Sequence, residues 1–227
     1  MGLKANNIKM CWIPQSLFFI SCICFLGFVF SNEVPGEASA LLALKSDLVD
    51  SLGKLSDWKY TVNGLSVSPC SWNGFTCNNK SRVVALDLSS KNLTGTFSES
   101  QEVQLLTHIL SFSIRDNQFS RPLPEVIFGL SSLRNLDNSY NYFNGYIPVG
   151  VLGLKNLVDF NAYSNNFTGP LPWEFAELAK LRTLNLAGSY FDGSIPRQYG
   201  ELSRLKYLSL AGNFISGPIP AELGKLQ

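Results

Sequence analysis

A pattern of twelve or thirteen residues recurs six times in this chain, and a period of that kind admits very few folds. Its copies are LDLSSKNLTGTF (Leu86–Phe97), FSIRDNQFSRPLP (Phe112–Pro124), LDNSYNYFNGYIP (Leu136–Pro148), FNAYSNNFTGPLP (Phe160–Pro172), LNLAGSYFDGSIP (Leu184–Pro196) and LSLAGNFISGPIP (Leu208–Pro220). The closing prolines 124, 148, 172, 196 and 220 fall every 24 residues, and only the first interval, Leu86 to Phe112, is longer at 26. One such unit cannot bury its own apolar face, whereas stacked neighbours share a continuous core. The chain therefore reads as a solenoid.

Each position of the pattern has a physical reason. Leu184 and Leu186, like Leu208 and Leu210, alternate as on one face of a short strand. One strand per repeat predicts a parallel sheet, with Leu178, Leu181, Leu202 and Leu205 filling the interior. Asn117, Asn141, Asn165 and Asn213 fall at the strand exit, where an inward amide can both donate to and accept from backbone groups that the turn leaves unpaired. Glycines 95, 145, 169, 193 and 217 admit backbone geometries that a Cβ resists. The apolar-Pro pair ends an extended segment without needing an N–H. Lys91 and Ser189 depart from the asparagine ladder, Arg121 replaces a glycine, and Phe97-Ser98 replaces the first proline. Arg121 implies a local distortion or a pairing contact.

An open solenoid exposes the apolar edge of its first unit and needs a cap. Residues 37–52 place Ala38, Leu41, Leu42, Lys45, Leu48, Val49 and Leu52 near one face of a predicted helix, with Gly53 as its stop. Trp58 and Trp72 then add large apolar surfaces beside Cys70 and Cys77. Further upstream, Lys4 and Lys9 precede the apolar run Leu17–Phe30, which reads as a secretory signal peptide cleaved near Ser31. The alternative, a retained anchor, is disfavoured because 14 residues fall short of the ~20 that span a bilayer. Cleavage removes Cys11, Cys22 and Cys24 and leaves Cys70 and Cys77 in an oxidising compartment. Their spacing does not suit a zinc site, so a disulfide is expected, with free thiols as the alternative.

The segments LLALKSDLVDSLGKLSDW and CSWNGFTC, followed by repeats ending G-x-I-P, resemble the extracellular N-terminus of plant leucine-rich-repeat receptor-like kinases. FNAYSNNFTGPLP, LNLAGSYFDGSIPRQYGELSRL and YLSLAGN resemble in particular the group containing the receptor for tracheary-element differentiation inhibitory factor. The implied fold is an α/β repeat: a right-handed leucine-rich-repeat solenoid with a parallel concave β-sheet and a helical, disulfide-bonded N-terminal cap. Residues 1–31 are then the signal peptide and 32–82 the cap. Residues 83–227 hold six repeats of about 24 residues and the start of a seventh, a C-terminally truncated array. The resemblance further implies a short secreted peptide ligand on the concave face, a shorter leucine-rich-repeat co-receptor, and a membrane span and kinase outside this sequence. It implies an extracellular, apoplastic location as the ectodomain of a plasma-membrane receptor.

The strand pattern selects the same face. Residues between the buried positions point outward: Asp159, Asn161, Tyr163 and Ser164 in the fourth repeat, and Arg182, Thr183, Asn185, Ala187 and Gly188 in the fifth. Lys206, Tyr207, Ser209, Ala211 and Gly212 follow in the sixth. Tyrosines combine contact area with a polar tip, and small residues allow a peptide backbone to approach. Tyr163 and the stretch Asn185–Tyr190 are expected to line the N-terminal part of the groove.

Asn79, Asn92 and Asn166 begin N-glycosylation sequons. The only histidine, His108, has no evident catalytic partner, and no phosphate-cradling loop or nucleophile-base arrangement occurs. No enzyme activity, cofactor or metal is expected in this chain. Without Lys4 and Lys9 the chain has one more acidic than basic residue and no Lys/Arg run, so nucleic acid is an unsuitable partner. Two other readings stay open: a secreted decoy or receptor partner, and an inhibitor of a secreted wall-degrading enzyme. The inhibitor class carries a closing cysteine cap that this sequence lacks.

Overall fold

The computed structural model describes residues 36–62, 65–66, 68–97 and 101–226. The expected signal peptide and its three cysteines lie outside the described residues, as does Ser98. Within the repeats, the alternating apolar positions form strands as the pattern dictates. Val83–Asp87, Ser111–Ser113, Asn135–Asp137, Asp159–Asn161, Thr183–Asn185 and Tyr207–Ser209 pair in parallel, in chain order. Phe75–Cys77 of the cap adds a seventh strand, antiparallel to the first. The register follows the sequence period: Leu86 faces Phe112, then Leu136, Phe160, Leu184 and Leu208. The 26-residue interval is absorbed outside the strands, since Leu86 still opposes Phe112.

Behind this sheet the core is organised in columns. Phe119, Phe143, Phe167 and Phe191 are fully buried and stack with ring centroids 5.6, 6.3 and 6.0 Å apart and nearly parallel planes. Such pairs contribute about 0.5–1.5 kcal/mol each beyond area burial. A second, three-stranded parallel sheet of Asn144–Gly145, Asn166–Pro170 and Tyr190–Asp192 forms at this level. Each repeat then enters a short 3₁₀ turn directly after Pro124, Pro148, Pro172, Pro196 or Pro220. The five glycines of the pattern all have positive φ. At Gly95 a Cβ would also lie 2.3 Å from the Asp47 carbonyl oxygen.

The asparagine ladder forms as expected and links successive repeats. Asn117 Nδ2 donates to the carbonyls of Leu88, Ile114 and Arg115, while its Oδ1 accepts from Leu93 N at 2.9 Å. Asn141 donates back to Ile114 O and accepts from Phe119 N; Asn165 donates back to Asn138 O and accepts from Phe143 N. Asn213 reaches Leu186 O and accepts from Ser189 N and Phe191 N. Ser189 is too short to do the same. Its Oγ is buried without a hydrogen-bond partner, so the ladder is interrupted between the fourth and fifth repeats.

One departure is invisible to the period. The second apolar column of the sheet reads Leu88, Ile114, Asn138, Ala162, Leu186, Leu210, and Asn138 is fully buried with both amide atoms unpartnered. A buried amide without partners costs free energy that an apolar side chain of similar size avoids.

The cap corrects the expected helix over 37–52. The helix is Gly36–Ser46, burying Ala38, Ala40, Leu41 and Leu44. The chain then extends, because Leu48–Val49 pairs antiparallel with Thr94–Gly95, and Thr96 N donates to Asp47 O. Val49 and Leu52 are exposed rather than inward. Lys45 snorkels, with Nζ donating to Leu55 O at 2.7 Å. Cys70 and Cys77 form the disulfide. Trp58 and Trp72 stack beside it at 5.9 Å, and their indole N–H groups donate to Asn73 O and Lys59 O. Glu37 ties helix to sheet by accepting from Arg82 Nε and Val83 N.

Asn141→Ala should lower unfolding free energy by about 2–3 kcal/mol, because the buried backbone groups it serves lose their partners. Ser189→Asn should raise it by about 1 kcal/mol, and Asn138→Leu by about 1–2 kcal/mol. Urea unfolding followed by circular dichroism measures all three.

Candidate functional site

The exposed side chains of the seven-stranded sheet fall into three rows that run across the strands. At the strand entry lie Arg134 and Asn135, Val158 and Asp159, Arg182 and Thr183, and Lys206 and Tyr207. Mid-strand come Asp137, Asn161, Asn185 and Ser209. At the exit come Tyr140, Tyr163 and Ser164, Gly188 and Gly212. Successive repeats present equivalent residues about 4.8 Å apart.

The middle row has structural duties that the period alone does not reveal. Asn161 Oδ1 accepts from Tyr163 N, and Asn185 Oδ1 accepts from Ala187 N. Asp137 accepts from Ser139 N and Ser139 Oγ in the same manner. These side chains brace the turn out of the strand, as short polar side chains do when they bond a backbone amide two residues on. At the entry, Asn135 oriented with its amide nitrogen toward the acceptor donates to Asp159 Oδ2 at 2.8 Å.

At the exit row the chain turns through a left-handed residue in every repeat: Ser90, Asp116, Tyr140, Ser164, Gly188 and Gly212, with φ between 52° and 69°. The glycine at 188 thus answers a backbone requirement, and the space above it is not empty. A Cβ there would lie 3.3 Å from Tyr163 Cε2. Tyr163 in turn meets Tyr140 edge to face at 5.1 Å, and the Arg115 guanidinium lies 4.6 Å from the Tyr140 centroid. Arg115, Tyr140 and Tyr163 therefore form one continuous exposed platform. Of its three members only Tyr163 stands out in the sequence, because Tyr140 occupies the turn position where the other repeats carry Ser, Asp or Gly.

Not all the candidates share this face. Tyr190 belongs to the three-stranded sheet, where it pairs with Thr168 and stacks on Phe214 at 5.9 Å. The expectation that the stretch through Tyr190 lines one groove is corrected accordingly: Asn185 and Gly188 lie on the seven-stranded sheet, Ser189 is buried, and Tyr190 has turned away. Tyr163 and Tyr207 share the sheet but occupy the exit and entry rows respectively. Among the described residues, no group of three His, Cys, Asp or Glu could hold a metal ion, and no helix is long and apolar enough to cross a membrane. His108 is exposed, with Nδ1 3.0 Å from Thr107 Oγ1. Asn79 and Asn92 are exposed and Asn166 is half-buried. Burial pushes the Tyr199 phenol far above its ordinary range, Glu174 adding to the effect, and its hydroxyl donates to Pro172 O.

Residues 34–78 match the leucine rich repeat N-terminal domain, and residues 204–226 match the leucine rich repeat. The Arabidopsis thaliana protein MDIS1-interacting receptor like kinase 1 is 37% identical over 126 residues, 54% of this chain and 12% of its own length. Among solved structures, the Arabidopsis receptor kinase HAESA, in complex with the peptide hormone IDA and the co-receptor SERK1, superposes with a TM-score of 0.77. The identity is 35%, over 85% of this chain and 32% of that one. A TDR receptor is 43% identical over 64% of this chain and 25% of its own, with a TM-score of 0.62. A chain of the Arabidopsis BIR3–SERK2 complex is 31% identical, with a TM-score of 0.59, over 83% of this chain and 88% of its own. The chain belongs to the leucine-rich-repeat ectodomains of plant receptor kinases. It spans about a tenth of the length of the curated receptor kinases it matches first, 12% and 11%. The described residues form the cap and repeats, and the kinase belongs to the longer relatives so named. Structures that it resembles include the HAESA ectodomain solved with the peptide hormone IDA bound.

Gly188→Val should lower stability by about 1–2 kcal/mol, because a β-branched residue resists positive φ, whereas Gly188→Asn should cost much less. Equal costs by thermal denaturation would contradict the turn assignment.

Proposed function

We propose that this ectodomain recognises a short, extended, secreted peptide on the seven-stranded sheet, as the extracellular ligand-recognition region of a plant receptor-like kinase. The observation that carries the reading is the Arg115–Tyr140–Tyr163 platform, continuous with Gly188 and flanked by the polar side chains of the middle row. Tyr140 and Tyr163 are 44% and 36% exposed, held rigidly by their own contacts, and each carries a hydroxyl. Pre-ordered aromatics bury much area on binding at little cost in conformational entropy. Asp159, Arg182, Lys206, Tyr207 and Ser209 extend the same face and supply charge and hydrogen-bonding groups along a peptide backbone. Asn161 and Asn185 keep their amide nitrogens for a ligand, their oxygens being engaged in the turns. Ser164 contributes at the exit of its strand.

In this reading the chain is exposed to the extracellular, apoplastic side after its signal peptide is removed. A shorter leucine-rich-repeat co-receptor joins once peptide is bound, as the HAESA complex with IDA and SERK1 illustrates for that receptor. Asn92 lies in the first repeat, and the platform runs over the second, third and fourth.

Selection of a displayed random-peptide library on the purified chain should enrich extended peptides. Their affinity should fall about tenfold, or about 1.4 kcal/mol, in Tyr163→Ala and in Tyr207→Ala. No enrichment, or affinities unchanged in both variants, would remove the reading.

A further inference from the structure

The strand-entry edge of the same sheet carries a cationic cluster of which the peptide reading uses only Arg182 and Lys206. Arg134, Lys180, Arg182 and Arg204 converge with Asn156 and Val158 around an open cleft of about 290 Å³. All four cations are exposed, and no described residue forms an ion pair with any of them. Lys206 continues the edge in the next repeat. Asp159, in the same row, accepts from the reoriented Asn135 amide.

The backbone fixes this arrangement. Val158 N and Asp159 N both donate to Arg134 O, Arg182 N and Thr183 N to Val158 O, and Lys206 N and Tyr207 N to Arg182 O. Arg134, Val158, Arg182 and Lys206 therefore sit at equivalent positions of adjoining strands, one step of about 4.8 Å from repeat to repeat. A parallel row follows one turn earlier, where Lys180 Nζ donates to Asn156 Oδ1 and Asn156 Nδ2 donates to Ser131 O. Arg204 occupies the position of Lys180 in the next repeat.

We infer that this edge is a binding surface for a linear acidic glycan bearing one carboxylate on each sugar ring. Three observations favour that occupant over an acidic peptide. An extended peptide repeats its same-face side chains every ~6.6 Å, out of step with strands ~4.8 Å apart, whereas a linear uronate that turns over at each ring presents same-face carboxylates every second ring, about two strand steps, the interval from Arg134 to Arg182 across Val158. The cleft offers a single apolar side chain, Val158, so it has no pockets for a peptide's alternate residues. Its arginines present planar forks suited to carboxylates, in an open cleft that a continuous chain can cross. The surface is separate from the tyrosine platform, and its Arg134, Lys180 and Arg204 lie outside the peptide reading, with which it shares Arg182 and Lys206.

The test measures retention of an oligogalacturonate by the purified chain at low and at physiological salt. The same oligomer fully methyl-esterified and a poly-glutamate of matched charge serve as comparisons. The oligogalacturonate should bind, weaken as salt screens the charges, and lose affinity when esterified. The triple variant Arg134→Gln/Lys180→Gln/Arg204→Gln should weaken it at least about tenfold, with the far-ultraviolet spectrum unchanged. Tyr163→Ala should leave it as it was. If the triple variant does not fold, Lys180→Gln/Arg204→Gln alone should give a smaller loss in the same direction. No retention at low salt, retention indifferent to the cation substitutions, or poly-glutamate held as tightly would each overturn the inference. The last result would assign the edge to an acidic peptide.

Discussion

A turn out of the long sheet leaves backbone carbonyls and amides facing a dry core, and after the first, second, third and fifth repeats an asparagine amide from the following repeat satisfies them. Asn117, Asn141, Asn165 and Asn213 each bond groups of their own repeat and of the one before. The side chain therefore acts as both plug and rivet. Without it, the apolar columns would still attract one another, since burial is non-directional, and the strand hydrogen bonds alone would hold the register, as they do between the fourth and fifth repeats. Everything presented on the outer face inherits its spacing from that register, including the tyrosine platform and the cationic edge.

Part of the outer face serves the fold first. The middle-row side chains hold the turns, and the exit-row residues accept left-handed backbone, so only some of the sheet's polar surface is free to serve a ligand. The tyrosines reconcile the two demands differently. Tyr140 tolerates positive φ while its ring, held between Arg115 and Tyr163, remains open to solvent. Rigidity is thus supplied by neighbours in adjoining repeats rather than by burial.

The period made the strands, their parallel order, the asparagine ladder and the glycine turns legible in the sequence, because each is a local requirement repeated at fixed spacing. Features set by non-local partners were not legible. The cap helix has the apolar spacing to continue past Ser46, yet Thr94–Gly95 captures Leu48–Val49 as a strand instead. Tyr190 follows directly on a concave strand, but pairing with Thr168 rotates it onto another sheet. Asn138 sits two residues after Leu136 in a leucine position, where the neighbouring asparagines of its own repeat disguise it. The cationic edge was hidden by composition, since a chain near neutrality overall can still segregate its charges when one sheet edge collects a lysine or arginine from several repeats.

A linear array is only as cooperative as its weakest junction. The junction between the fourth and fifth repeats keeps its strand pairing and its phenylalanine stack, but Ser189 leaves it without the amide bridge found on either side. The fifth and sixth repeats remain bridged to each other through Asn213. Under load or heat they should let go as a pair, so that the solenoid behaves as two cooperative blocks in series, with the tyrosine platform on the cap-proximal one and Tyr207 on the other.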